Sequence, residues 1–189
     1  MRHCGECGSS GVIIRPIEKY HYRESGLANV WLHGGGALEF KCDSCGWRSI
    51  AIQKEVQLLQ VIAVTLLMRP GWLRGLELRY LRHACGLTQQ GLADKLDVRR
   101  ATVVDWERGE VSRLERAGLL HLRMVLLREF QRSLLEPGND NLEARHKHRL
   151  GDFARGFSEE FGRLFVRRVR VSLALQKRDN VWEPLPVDA

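Results

Sequence analysis

The sequence of 189 residues has no apolar run near the roughly 20 residues that a membrane-spanning helix needs. The longest, Val61 to Met68, sits in a segment interrupted by Gln57 and Gln60. The start, with Cys4 and Glu6 almost at once, lacks the basic and apolar stretches of a signal peptide, which leads us to expect a cytoplasmic protein. No G-x-S-x-G elbow accompanies His33-Gly-Gly-Gly36, so that run does not read as a hydrolase oxyanion loop. No H-x-E triplet accompanies the C-x-x-C pairs, which removes the zinc-deaminase pattern. With no phosphate-binding glycine loop and no open metal site either, we expect a protein that is not an enzyme.

Cysteine is scarce, and its distribution is informative. Four of the five cysteines form two pairs, Cys4-Gly-Glu-Cys7-Gly8 and Cys42-Asp-Ser-Cys45-Gly46, each followed directly by glycine. In a reducing compartment this arrangement argues for metal rather than disulfides. Two such turns can complete a tetrahedron of thiolates around one zinc ion, leaving no position open for water, so Cys4, Cys7, Cys42 and Cys45 are expected to hold one structural Zn2+. His3, His21 and His33 are alternative ligands. Cys85 is left over and reads as a small core residue.

Between the pairs, short β-prone runs at Val12–Ile14, Val30–Leu32, Leu38–Lys41 and Ser49–Ile52 alternate with turn-rich stretches, among them Gly34-Gly-Gly36. A small antiparallel sheet with zinc at one end is expected. Gln53 to Met68 reads as a helix ended by Arg69-Pro70-Gly71, serving either for packing or for dimerisation.

The segment from Leu76 to Gly109 reads as three short helices. Gly86 suits a left-handed cap for the first, Thr88 an N-cap for the second, and Asp97 the turn that follows. Val98 and Val103 occupy the two ends of a hydrophobic staple opening the third helix, with Trp106 continuing its buried stripe. Gln89, Arg99, Arg100, Thr102 and Asp105 are then expected on the face turned to a duplex. The net charge of +7 suits such a polyanionic partner.

Through Gly86-Leu-Thr-Gln89, Leu92-Ala93, Leu96 and Val103-x-x-Trp106-Glu-Arg-Gly109, this segment resembles the Xre/Cro-like helix-turn-helix family. Joined in this order to the cysteine module, and with Tyr20 to Leu32 and Lys41 to Gly46, residues 1–130 resemble the MqsA-type antitoxins. That resemblance implies a zinc domain that binds a toxin protein and a helix-turn-helix domain that dimerises on operator DNA and represses its own operon. The sequence departs from the pattern at Gly91, at Arg99 in place of a small polar cap, and at Asp105, an acidic group on the face expected to meet phosphates. A stand-alone regulator and an adaptor that no longer reads DNA are the other readings.

Further on, Arg113 to Leu135 shows apolar residues at helical spacing, Leu114, Ala117, Leu120, Met124, Leu127 and Phe130, expected to cover the preceding helices. Pro137 to Asn141 breaks the chain, Leu142 to Leu164 carries Phe153, Phe157 and Phe161 at four-residue steps, and Arg168 to Leu175 alternates as a strand. Arg167, Arg168 and Arg170 would give it a basic outward face, a nucleic-acid or toxin contact or a plain solvated one. The expected fold is α+β: a zinc-ribbon-like domain at 1–52, a connector helix at 53–71, a helix-turn-helix domain at 72–136 and a helix-plus-strand extension at 137–189. Expected partners are double-stranded DNA, a second copy of the chain and a toxin protein, with no membrane.

Overall fold

The computed structural model of the chain describes residues 3–69, 71–109, 114–135, 173–178 and 181–184. They form an α+β structure in two compact units, one from 3–24, 28–58 and 173–184 and the other from 25–27 and 59–135, with the division falling inside α1. No helix among the described residues is long and apolar enough to cross a membrane.

The first unit is a five-stranded sheet of β1 (Val12–His21), β2 (Val30–Cys42), β3 (Arg48–Ile52), β4 (Leu173–Arg178) and β5 (Val181–Pro184). β1 pairs antiparallel with one edge of β2 from Val12 opposite Cys42 to His21 opposite Trp31. The other edge of β2 is divided. Its second half, Ala37 to Lys41, takes β3 antiparallel, while its first half, Val30 to His33, takes β4 parallel.

Three expectations change here. The runs expected at Val30–Leu32 and Leu38–Lys41 are one strand, because the glycine run between them forms a bulge instead of a turn. Gly34 and Gly35 adopt φ of 70° and 71°, and the three residues 34–36 lie opposite Glu18 alone. β1 runs on past Ile14 through Pro16, a residue an edge strand tolerates because its outward side needs no N–H donor. Finally, the sheet is mixed instead of purely antiparallel, since 173–184, expected in a separate extension, joins the cysteine module as β4 and β5. Leu175 is buried beside Leu32, its partner on β2, which is why this strand belongs to the sheet.

The second unit is helical: α1 (Glu55–Met68, most of it here), α2 (Gly75–Ala84), α3 (Gln89–Leu96), α4 (Arg100–Glu107) and α5 (Arg116–Leu135). The expected caps are present. Gly86 (φ 66°) closes α2, with Leu87 N–H donating to Arg82 O at 3.0 Å; the Thr88 hydroxyl accepts from Gly91 N–H at 2.9 Å; and Asp97 is left-handed at φ 54°. Arg99 caps α4 with no side-chain bond. Leu78, Leu81, Leu92, Ala93 and Val103 are fully buried, and Trp106 nearly so.

The phase of α5 differs from the expected one. Leu119, Leu122, Leu126, Leu127 and Phe130 form its buried face, while Met124 is 51 % exposed and Ala117 is exposed. The helix carries two apolar stripes, and the buried one is centred on a charge that periodicity alone ranks as outward. Arg123, 1 % exposed, donates to the carbonyls of Leu67 at 2.6 Å, Arg69 at 2.8 Å and Gly71 at 2.8 Å, at the C-terminal end of α1 where helix carbonyls lack partners. Burial lowers its pKa to about 10, so it stays charged at neutral pH. The carboxylate of Glu77 grips Arg69 at 2.9 and 2.6 Å and accepts from Arg74 N–H at 2.8 Å, tying the start of α2 to the same corner. The expected helix at Leu142–Leu164, with Phe153, Phe157 and Phe161, and the basic residues Arg167, Arg168 and Arg170 lie outside the described residues.

Replacing Arg123 by Met should therefore lower the unfolding free energy of the helical unit by about 3 kcal/mol, because it removes the donor that meets the carbonyls of Leu67, Arg69 and Gly71. Urea denaturation of the two proteins measures it.

Candidate metal centre and candidate nucleic-acid interface

The two C-x-x-C turns fold alike. Gly8 N–H donates to Cys4 O at 2.9 Å and Cys4 N–H to Ser9 O at 2.8 Å; Gly46 N–H donates to Cys42 O at 2.9 Å and Cys42 N–H to Trp47 O at 2.8 Å. Each turn needs its trailing glycine in the left-handed region, at φ 71° for Gly8 and 76° for Gly46. The first turn leads into β1 and the second joins β2 to β3, so strand pairing brings them together. A hydroxyl bond between Ser9 and Ser44 at 2.8 Å and an Asp43 N–H to Gly11 O bond at 3.0 Å join them outside the sulfurs.

All four Sγ atoms lie within 4.8 Å of one another. The Cys4–Cys45 and Cys7–Cys42 separations are 3.7 and 3.6 Å. Zinc–sulfur bonds of about 2.3 Å in a tetrahedron require an S···S edge of about 3.8 Å, so the thiols are spaced for zinc and far too wide for a disulfide of about 2.0 Å. The backbone amides of Cys45 and Ser44 hold the Cys42 thiol down to about 6, while the neighbouring thiols of Cys7, Cys42 and Cys4 push Cys45 up to about 12, as expected where four sulfurs crowd together. The four cysteines could thus bind a metal ion. Zinc held there would have four thiolates and no open position, a structural role.

The alternative histidine ligands are engaged elsewhere or apart from this cluster. His3 bonds Gly8 O at 3.2 Å, and His21 stacks on Trp31 at 4.5 Å while bonding Ala28 O. His33 is not among the clustered donors. Cys85 is buried, its thiol donates to Leu126 O at 3.3 Å, and burial pushes it up to about 12, as suits a packing residue.

In the helical unit, a cleft of about 1090 Å³ opens between α2, α3 and α4. A chain of charges and hydrogen bonds forms part of its wall. Arg82 donates to both oxygens of Glu107, at 2.5 and 3.3 Å, and to Leu87 O at 2.8 Å. Glu107 also accepts from the Gln89 amide at 2.9 Å, and Arg100 donates to the Gln89 carbonyl oxygen at 3.4 Å. The Arg82 and Glu107 side chains are each 6 % exposed. Burial opposes the charge on Glu107, but the bonds from Arg82 and Gln89 outweigh it and hold the carboxyl below its usual range. α2 can approach α4 this closely because Gly75 has no side chain; a Cβ there would overlap the backbone of Glu107.

Residues 78–120 match a family model described as helix-turn-helix. This match supports a DNA-binding transcriptional regulator. No curated protein and no solved structure matches the chain.

Of the helix-turn-helix residues expected to meet DNA, the structure brings Gln89 and Arg100 together in the cleft. Arg99 and Asp105 are exposed and Thr102 half-buried, all three away from its lining. Sequence reading passed over Arg79, Arg82, His83, Gln90 and Arg108, which do line it. Arg79, Arg82 and His83 stand at i, i+3 and i+4 on one helix, so the spacing was available as a signal. Arg100 and Val104 of α4 and Arg108, the residue that caps it, likewise stand at four-residue steps along one ridge. Burial and the neighbouring charges of Arg82 and Arg79 lower the His83 pKa, leaving it neutral at pH 7.

Two outcomes follow. Reconstituted protein should carry one zinc per chain in native mass spectrometry, and Cys42→Ser should lose both the metal and the fold of the sheet unit. Because the Glu107 carboxyl is held below its ordinary value, its contribution to stability is complete above about pH 4.5 and lost as pH falls through the lowered value. Glu107→Gln should flatten that acid limb in a thermal-melt series.

Proposed function

We propose that the chain is a sequence-specific DNA-binding transcriptional repressor, working as a homodimer in the cytoplasm and catalysing no reaction. The observation that carries this reading is the cationic ridge of α4 beside the cleft, within a segment that matches the helix-turn-helix family model. Arg79, Arg100 and Arg108 are exposed and suited to phosphate oxygens, while the first turn of α4 is where such a helix reaches base edges in the major groove. Gln89 is engaged at both ends of its amide, by Glu107 and by Arg100. A bidentate adenine contact would require both atoms to be released.

The more specific reading is the antitoxin of a type II toxin–antitoxin system, with one structural zinc in the cysteine module and a toxin protein as partner. Its support is the resemblance of the ordered modules to MqsA-type antitoxins. Function does not follow from architecture alone, so the toxin partner needs its own test by co-purification with neighbouring gene products. The adaptor reading is favoured by Asp105, an exposed carboxylate on the helix that would face phosphates.

Binding of the zinc-loaded protein to its own promoter DNA across a salt series separates the two. The repressor reading expects promoter DNA to be preferred over random DNA by at least about a hundredfold. Arg108→Ala should reduce the salt slope by about one, the signature of a lost phosphate contact, whereas Asp105→Ala should strengthen binding. Equal, weak binding to both DNAs refutes the repressor reading for that operator and favours the adaptor.

A further inference from the structure

The two faces of the five-stranded sheet are unlike. On one, Leu32 and Leu175 are buried, and the Trp182 ring lies so close on Gly36 that a Cβ there would fall inside it. Alternation along β1 and its register on β2 place Arg15, Lys19 and His21 on the other face, with His33 opposite Lys19 and Trp31 opposite His21. Arg15 and Lys19 are exposed and His21, Trp31 and His33 half-buried, so this face is open where the first is closed. The same register carries its positive charge across the sheet through Lys41 on β2 and Arg48 on β3. The carboxylate among them, Glu39, lies 3.8 Å from Arg48, which leaves the face cationic as a whole.

An aromatic pair sits among these cations. His21 stacks on Trp31 with ring centroids 4.5 Å apart and planes 14° from parallel, and Lys19 Nζ lies 4.9 Å from the Trp31 centroid. Arg23 Nε donates to His21 Nδ1 at 3.1 Å, which leaves Nε2 to donate to Ala28 O at 3.0 Å. With both nitrogens engaged the imidazole is held in place, and what it has left to offer is the ring face turned away from Trp31. Rings fixed on a cationic sheet suit single-stranded nucleic acid, whose unpaired bases stack on them while cations follow the phosphates. A duplex keeps its base faces inside its own stack and would leave the aromatic pair without a use. We propose that this face of the sheet is a second nucleic-acid site, separate from the helix-turn-helix, and that it takes a single strand. One base extends the His21–Trp31 stack, and the backbone runs along Lys19 and Arg15. Arg15 to His21 covers roughly 20 Å at about 3.4 Å per residue, room for a few nucleotides.

The test uses full-length, zinc-loaded protein and a fluorescein-labelled single strand of about 12 thymidines, with binding read by anisotropy across a salt series. Lys19→Ala should lower the salt slope by about 0.7, the loss of one phosphate contact on a single strand. Trp31→Ala should weaken binding by about tenfold, as should replacing the thymidines by abasic residues at the same backbone charge. Trp31→Phe, which keeps a ring beside His21, should retain most of the affinity, and an unchanged circular dichroism spectrum shows that the sheet is folded in each variant. No measurable binding, equal binding of the abasic strand, or full affinity in Trp31→Ala would each overturn the proposal. So would a slope that falls in Arg108→Ala, which would seat the strand on the helix-turn-helix. Equal weakening of single strand and duplex by Trp31→Ala would overturn it too, because the face would then meet phosphates alone.

Discussion

β2 is the strand on which the whole sheet unit depends, because each of its segments has a different obligation. Its last residue, Cys42, is a candidate zinc ligand, its second half holds β3, its glycine run receives Trp182, and its first half holds β4. A strand of 13 residues with so many duties cannot slip. Moving the register by one residue would turn Leu32 and Val30 outward, lift Cys42 from the other thiols and put a side chain where the indole must lie. The bulge at Gly34–Gly36 reconciles these demands, absorbing two extra residues so that the pairing on either side of it stays in phase.

The helical unit depends on a similar economy of buried charge. Arg82 with Glu107, Arg69 with Glu77, and Arg123 with the carbonyls at the end of α1 are desolvated groups, each met by a partner. Removing one partner leaves the other buried and unmatched, so each of these contacts is costly to break singly. The Arg82–Glu107 pair has a further consequence at the surface. Its carboxylate also accepts from Gln89, whose amide oxygen in turn lies 3.4 Å from Arg100, so the buried pair connects to the exposed cationic edge through one side chain.

What the sequence disclosed and what it hid follow from the range of the interactions involved. The cysteine pairs with their glycines, Thr88, Asp97, Gly86, Val103 and Trp106 were legible because caps and turns are decided within five or six residues. The glycine run was misread as a turn, since the ring that explains Gly36 is supplied by Trp182, far away in the chain. β5 had no local signature for the same reason. The phase of α5 failed because a sliding pattern weighs Met124 as apolar and Arg123 as polar, and cannot see that carbonyls ending another helix need a donor. The sequence placed five residues on the DNA-facing surface by analogy of position; the structure groups only Gln89 and Arg100 of them with Arg79 and Arg108 around a cleft.

Asp105 concentrates what is distinctive about this helix-turn-helix. It sits exposed on α4, between a ridge of arginines and the buried Trp106. On a uniformly cationic face an aspartate subtracts from phosphate attraction at every sequence, and it returns that loss only where its oxygens meet a donor such as the cytosine amino group. Were α4 to lie in a groove, such a residue would weaken binding to DNA in general and favour bases that offer it a donor. The same carboxylate thus bears on both the repressor and the adaptor reading, which makes the contrast between promoter and random DNA a more informative quantity than affinity alone.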